Sequence, residues 1–87
     1  VREYEVIAVA TGWENGRVRL EQRNRFFDGE EADCLYPGEK PYRLLLTDLL
    51  DEDGNPIQAA PHPMMRLSAA CTRPVAAGTL FRKKMEG

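Results

Sequence analysis

Val18-Arg19-Leu20-Glu21-Gln22-Arg23-Asn24-Arg25-Phe26 is the stretch whose reading decides the fold. Side chains of a strand alternate between two faces. Arg17, Arg19, Glu21, Arg23 and Arg25 therefore fall on one side, and Val18, Leu20, Gln22, Asn24 and Phe26 on the other. The first face is charged throughout, while the second passes from aliphatic to amide to aromatic. A strand over Arg17 to Phe26 with a definite inside and outside is the expectation.

Outward from this strand the hydrophobic period stays close to two. Tyr4 to Thr11 is rich in β-formers and apolar on both faces (Tyr4, Val6 and Ala8 against Ile7 and Val9), as suits a strand covered on both sides. Asn15-Gly16 between them is a strong hairpin signal, because both residues tolerate positive φ. Asp28-Gly29 marks the next turn. Ala32, Cys34 and Tyr36 then point one way along a third strand that Pro37-Gly38 ends. Tyr42, Leu44 and Leu46 line one face of a fourth strand with Leu45 opposite, and Thr47 to Leu50 is read as one helical turn capped by Thr47.

Asp53-Gly54-Asn55-Pro56 is a turn by composition. Ile57 to Ala59 adds a brief strand, and Ala60-Pro61-His62-Pro63 is expected to be extended, since proline disfavours helix in the residue before it. Met65, Leu67, Ala69 and Cys71 alternate again. Arg73-Pro74 and Ala77-Gly78 break the chain before a last strand, Thr79 to Lys83. Six or seven short strands with turns between them predict an all-β domain. A closed or nearly closed antiparallel β-barrel is favoured over an open sheet because closure removes exposed edges.

Length and composition agree. The 87 residues make one domain, 1–87, with 30% charged and 43% hydrophobic residues. A chain of this size buries roughly 60–65% of its unfolded surface, enough for one modest core. The net charge of −2 argues against a dedicated nucleic-acid binder, although a local basic face can still act. No apolar run approaches the ~20 residues needed to span a bilayer, so no membrane partner is expected. The sequence starts at Val1 with no signal-peptide pattern, and reads as a domain cut from a longer protein. Cys34 and Cys71, each beside apolar neighbours, are read as buried free thiols rather than a bridge, which favours a reducing, cytoplasmic setting.

VRLEQRNRF, the Gly29-Glu30 that follows, Pro37-Gly38, DEDGNP from Asp51 to Pro56, APHP from Ala60 to Pro63 and RPVAAGTLFRKK from Arg73 to Lys84 occur in a familiar order. Together they resemble the C-terminal domain of the collagenase-like peptidases of family U32, over nearly the whole chain from Tyr4 to Lys84. The resemblance implies a small β-barrel similar to the second domain of translation elongation factors. It also implies a parent hydrolase whose catalytic region lies upstream, as this domain's own partner. Family members include proteins described as collagenases and relatives linked to hydroxylation of transfer or ribosomal RNA. The family's cluster-binding cysteines lie in that upstream region and match neither Cys34 nor Cys71, so no cofactor is expected in this fragment. Glu30 stands where aspartate is usual, and Ala32 and Cys34 replace larger aliphatics, which implies slightly different core packing.

A hydrolase needs a nucleophile, a base and an orienting group that converge. The one histidine, His62, lies between two prolines with no metal-ligand spacing around it. It is read as a packing residue fixing a crossover. Ser68 lacks a nucleophile-elbow context. The acidic turn fails as a calcium loop, because placing Gly54 sixth puts Leu49 first and Ala60 last. No catalytic residue and no metal ligand is expected here.

The best candidate binding face joins Arg17, Arg19, Arg23 and Arg25 with Arg82 and Lys83. Guanidinium groups suit phosphates and carboxylates alike. The plainer reading is a solvated face whose arginines pair with neighbouring acids such as Glu5 and Glu21. Gln22, Asn24, Phe26, Gly29 and His62 are read as a structural signature. The two amides are expected inside, bonded to backbone at the barrel mouth, because a bare buried amide costs ~1–3 kcal/mol. The expected role is to position a macromolecular substrate, or mediate protein contacts, for the upstream region. The alternative is an RNA-binding module of a transfer- or ribosomal-RNA hydroxylation protein. Assembly through exposed aromatics, Trp13 and Phe81, is a third expectation.

Overall fold

A computed structural model describes residues 3–85 of the chain. Eight strands occur in chain order: β1 Tyr4–Glu14, β2 Arg17–Gln22, β3 Phe26–Phe27, β4 Glu30–Leu35, β5 Tyr42–Asp51, β6 Ala59–Ala60, β7 Arg66–Ala70 and β8 Leu80–Lys84. Six of them close a barrel in the order β1-β2-β7-β5-β4-β8, and every neighbouring pair is antiparallel. The remaining two, β3 and β6, pair with each other over one end. The all-β, helix-free barrel expected from the two-residue period is therefore present.

The hairpin from β1 to β2 turns at Asn15 (φ 52) and Gly16 (φ 77), where both residues take the left-handed conformation that matches strand twist. Alternation in β2 puts Val18, Leu20 and Gln22 inside. They meet Ile7, Ala8 and Ala10 of β1, Leu67 and Ala69 of β7, Ala32 and Cys34 of β4, and Phe81 of β8 in one core. Small residues dominate β1 and β7, which leaves room in a narrow barrel for the rings of Phe26 and Phe81. Both rings have no exposed surface.

Four expectations are corrected. The strand beginning at Arg17 ends at Gln22, and Arg23 to Arg25 form a bend before β3. The N–H groups of Arg23 and Asn24 both donate to the Ile7 carbonyl, at 2.7 and 3.3 Å, so the chain folds across the barrel end instead of extending the ladder. Asn24 is consequently exposed.

Thr47 to Leu50 is not a helical turn, because β5 runs through it with a bulge. Leu46 and Leu49 are both buried, which strict alternation forbids. Asp48 at φ 55 is the extra residue that resets the parity. The proline segment is not fully extended either: Pro63 and Met64 form a turn, with Met64 at φ 61 and the Met65 N–H donating to the His62 carbonyl at 3.2 Å. Finally, Phe81 is a core residue and not an exposed aromatic, since parity along β8 points it into the barrel.

Candidate interaction surfaces

The expected cationic face is divided by the bend and by local pairing. Arg17 is half-buried and spans three strands. Its Nε donates to Ser68 Oγ at 3.0 Å, Nη1 to Asp48 Oδ2 at 2.9 Å, and Nη2 to the carbonyls of Ser68 and Asp48. It clamps the β5 bulge onto β7. Arg19 is exposed and paired with Glu14 across the hairpin. It shares a groove of about 400 Å³ with Arg66, Asp51 and Glu52.

Arg23 pairs with Glu21 at 2.8 Å, and Glu21 also faces Arg66 at 3.9 Å. Arg25 is exposed and has no side-chain partner among the described residues. Its carbonyl accepts a hydrogen bond from Lys83 Nζ at 3.3 Å, which brings the bend against β8. Lys83 also pairs with Glu30 at 3.2 Å. Arg82 lies 4.0 Å over the Tyr4 ring, with Nε 3.8 Å from Asp33, too long for a hydrogen bond. Structure thus gathers Arg23, Arg25 and Lys83 near one end of the barrel. Arg17 and Arg19 sit toward the hairpin end.

The signature residues hold that first end together. Gln22 is buried, and its Nε2 donates to the Ala60 carbonyl at 2.6 Å while Oε1 has no partner. Asn24, though exposed, donates Nδ2–H to the Val6 carbonyl at 2.7 Å. Both amides bond backbone, and Gln22 ties β2 to the proline segment through β6. Phe26 pairs with Ala60 beneath them. Gly29, at φ 93, closes the turn into β4 and donates to the Leu46 carbonyl at 2.7 Å. The His62 side chain is exposed rather than packed, near Asp51, Asp53 and Met64.

Among the described residues no three His, Cys, Asp or Glu side chains form a group that could hold a metal ion. Cys34 and Cys71 are buried free thiols. Burial, and then the neighbouring Cys71, push the Cys34 thiol up to about 12, while Arg73 opposes the shift. A thiol held neutral in this way is a poor nucleophile.

One cluster escaped the sequence reading. The guanidinium of Arg73 lies 3.6 Å over the ring of Tyr42. Trp13 stands beside them, half-buried, its Nε1–H donated to the Cys71 carbonyl at 2.8 Å. Tyr42 opens β5 and Arg73 follows β7, so only the antiparallel β5–β7 pairing joins them. The sole local hint is that proline flanks each, as Pro41-Tyr42 and Arg73-Pro74.

The profile described as "Peptidase family U32 C-terminal domain" matches residues 2–82. Two crystal structures of the C-terminal domain of a Geobacillus thermoleovorans protein assigned to the U32 peptidases are similar. The selenomethionine variant is 28% identical with a TM-score of 0.84, over 91% of this chain and 99% of that one. The second is 26% identical with a TM-score of 0.81, over 94% and 93%. Among curated proteins, the tRNA hydroxylation protein P1 of Bacillus subtilis (strain 168) is 30% identical over 66 residues, which is 76% of this chain and 16% of that protein.

Proposed function

This chain belongs to the peptidase family U32 C-terminal domains, and from that premise we propose that it is a non-catalytic accessory domain. It positions a macromolecular substrate against the rest of its parent, or bridges the parent to a protein partner. The observation that carries this reading is the cationic end of the barrel, where the exposed Arg25, unpaired among the described residues, stands between the ion-paired Arg23 and Lys83, on a bend whose backbone the Gln22 and Asn24 amides flank and hold. A rigid frame presenting guanidinium groups loses little entropy on binding carboxylates or phosphates. Buried free thiols support a reducing, cytoplasmic setting.

The related Geobacillus domain crystallised as a chain that this fold covers to 99%, which supports work on the isolated barrel. Purified domain should bind gelatin without cleaving it. Cleavage of gelatin that disappears with His62→Ala would overturn the non-catalytic assignment.

A second reading is favoured by the similarity to a tRNA hydroxylation protein. Here the same cations grip an RNA whose modification occurs in the remainder of the parent. Mobility-shift titration with bulk transfer RNA separates the two. Binding that weakens steeply with salt marks RNA, because phosphate contacts release counterions. Gelatin retention with no RNA shift marks a protein.

A further inference from the structure

The cluster around Arg73 has the chemistry of a ligand site that lies apart from the cationic end. Its shallow pocket has a volume of about 430 Å³, with Gly12, Trp13, Glu39, Tyr42, Arg73 and Ala76 among its lining residues. That is within the usual range for small-molecule sites. Gly12 contributes no side chain, and a Cβ there would meet nothing within 4 Å, so the pocket is open at that position.

Three features define what such a pocket accepts. Arg73 is stacked flat on Tyr42 and has no carboxylate partner among the described residues, unlike the paired Arg17, Arg19, Arg23, Arg43, Arg66 and Arg82. One guanidinium face therefore remains open to a planar ring, and its in-plane N–H groups remain open to an anion. The Trp13 indole is held by its bond to the Cys71 carbonyl, which makes it a fixed apolar wall. Glu39 adds an acceptor to the lining, and burial, then Cys34, push the Tyr42 phenol up against the opposing pull of Arg73, with Cys71 and Glu39 adding less.

We propose that this pocket binds a nucleotide, with the base stacked on the Arg73 guanidinium and the phosphate at its N–H edge. Stacking on arginine planes and aromatic rings is how unpaired bases are held generally. Glu39 favours a base carrying an exocyclic amine, from which its carboxylate can accept a hydrogen bond. Two sources share this chemistry: a free mononucleotide, and an unpaired nucleotide of an RNA strand.

The isolated domain has a single tryptophan, Trp13, at the pocket wall, so its fluorescence reports occupancy. AMP should quench it saturably, and inorganic phosphate and ribose 5-phosphate should not. Arg73→Gln should weaken AMP about tenfold with an unchanged circular-dichroism spectrum. Arg73→Lys should do the same, since an ammonium does not stack, and Glu39→Gln should narrow the preference for AMP over UMP. Saturation by AMP alone assigns a free nucleotide. Tighter saturation by a single-stranded octa-adenylate assigns an RNA strand, and both uphold the pocket. Absence of saturable quenching by either probe, or quenching unaffected by Arg73→Gln, overturns it. Transfer-RNA binding that survives Arg73→Gln while AMP quenching is lost upholds the pocket as a free-nucleotide site and leaves the RNA reading of the cationic end intact.

Discussion

Gln22 is the buried residue whose replacement tests the packing account most sharply. Its Nε2 donates to the Ala60 carbonyl, and its Oε1 is buried without a partner. The Ala60 carbonyl has a second source of satisfaction. The Asp28 N–H donates to the Gln58 carbonyl at 2.8 Å, and bonded pairs alternate in an antiparallel ladder, so Phe26 and Ala60 form the next bonded pair. Gln22→Met keeps the volume, removes one hydrogen bond worth ~1 kcal/mol, and relieves an orphan acceptor that costs ~1–3 kcal/mol. The net change should lie between about 0 and 2 kcal/mol in favour of Gln22→Met. Gln22→Ala has the same polar balance but leaves a cavity, costing a further ~2–3 kcal/mol. Thermal unfolding followed by circular dichroism should therefore separate the variants by roughly 8–24 °C, at 4–8 °C per kcal/mol for a domain of this size. If Gln22→Met melts as low as Gln22→Ala, the amide is a stabilising bond and not a satisfied compromise, and the reasoning fails.

Phe81→Ala should cost ~3–5 kcal/mol, because the ring is fully buried at the barrel centre, and urea denaturation should find it largely unfolded. Arg17→Ala should cost ~1–3 kcal/mol by freeing the β5 bulge from β7, while Arg19→Ala, whose pair is exposed, should stay within about 0.5 kcal/mol in the same assay. Cys34 titrates near 9.0 when unfolded and about 12 when folded, so above pH 9 the unfolded chain holds fewer protons than the folded one. This thiol's contribution is fully present below pH 9 and is lost as pH rises toward 12. Denaturant midpoints should fall across that window, less so in Cys34→Ala. A fall that is identical in the variant would exclude Cys34 as its source.

How much of this was legible in the sequence depends on whether the signal was local. The β1–β2 hairpin and the alternation of Val18, Leu20, Leu67 and Ala69 are written in two-residue periodicity and the Asn15-Gly16 turn, so the barrel could be read directly. The end of β2 could not. Arg23, Asn24 and Arg25 continue the alternation perfectly, and only the distant Ile7 carbonyl, which captures two N–H groups, turns the chain aside. The β5 bulge was hidden for a similar reason. TDLL has the composition of a capped turn, and what makes it a bulge is Arg17, held from β2. The candidate cationic face was named residue by residue, yet its partition into a clamp, a hairpin pair and a barrel-end cluster depends on long-range pairing. Arg73 and Tyr42 were missed because no periodicity connects a strand start with the loop after another strand.

The account rests most on the claim that the cationic end of the barrel grips a macromolecule without chemistry of its own. Arg23→Glu combined with Arg25→Glu changes exposed side chains of that end only, so the fold should persist. Equilibrium binding of the isolated domain to gelatin and to bulk transfer RNA, measured over a range of salt for wild type and this double variant, is the direct test. One of the two should bind the wild type and be lost on charge reversal, with no cleavage; for RNA, the logarithmic salt slope should fall by about 1–2. Binding of neither at low salt, or binding indifferent to both substitutions, would contradict it.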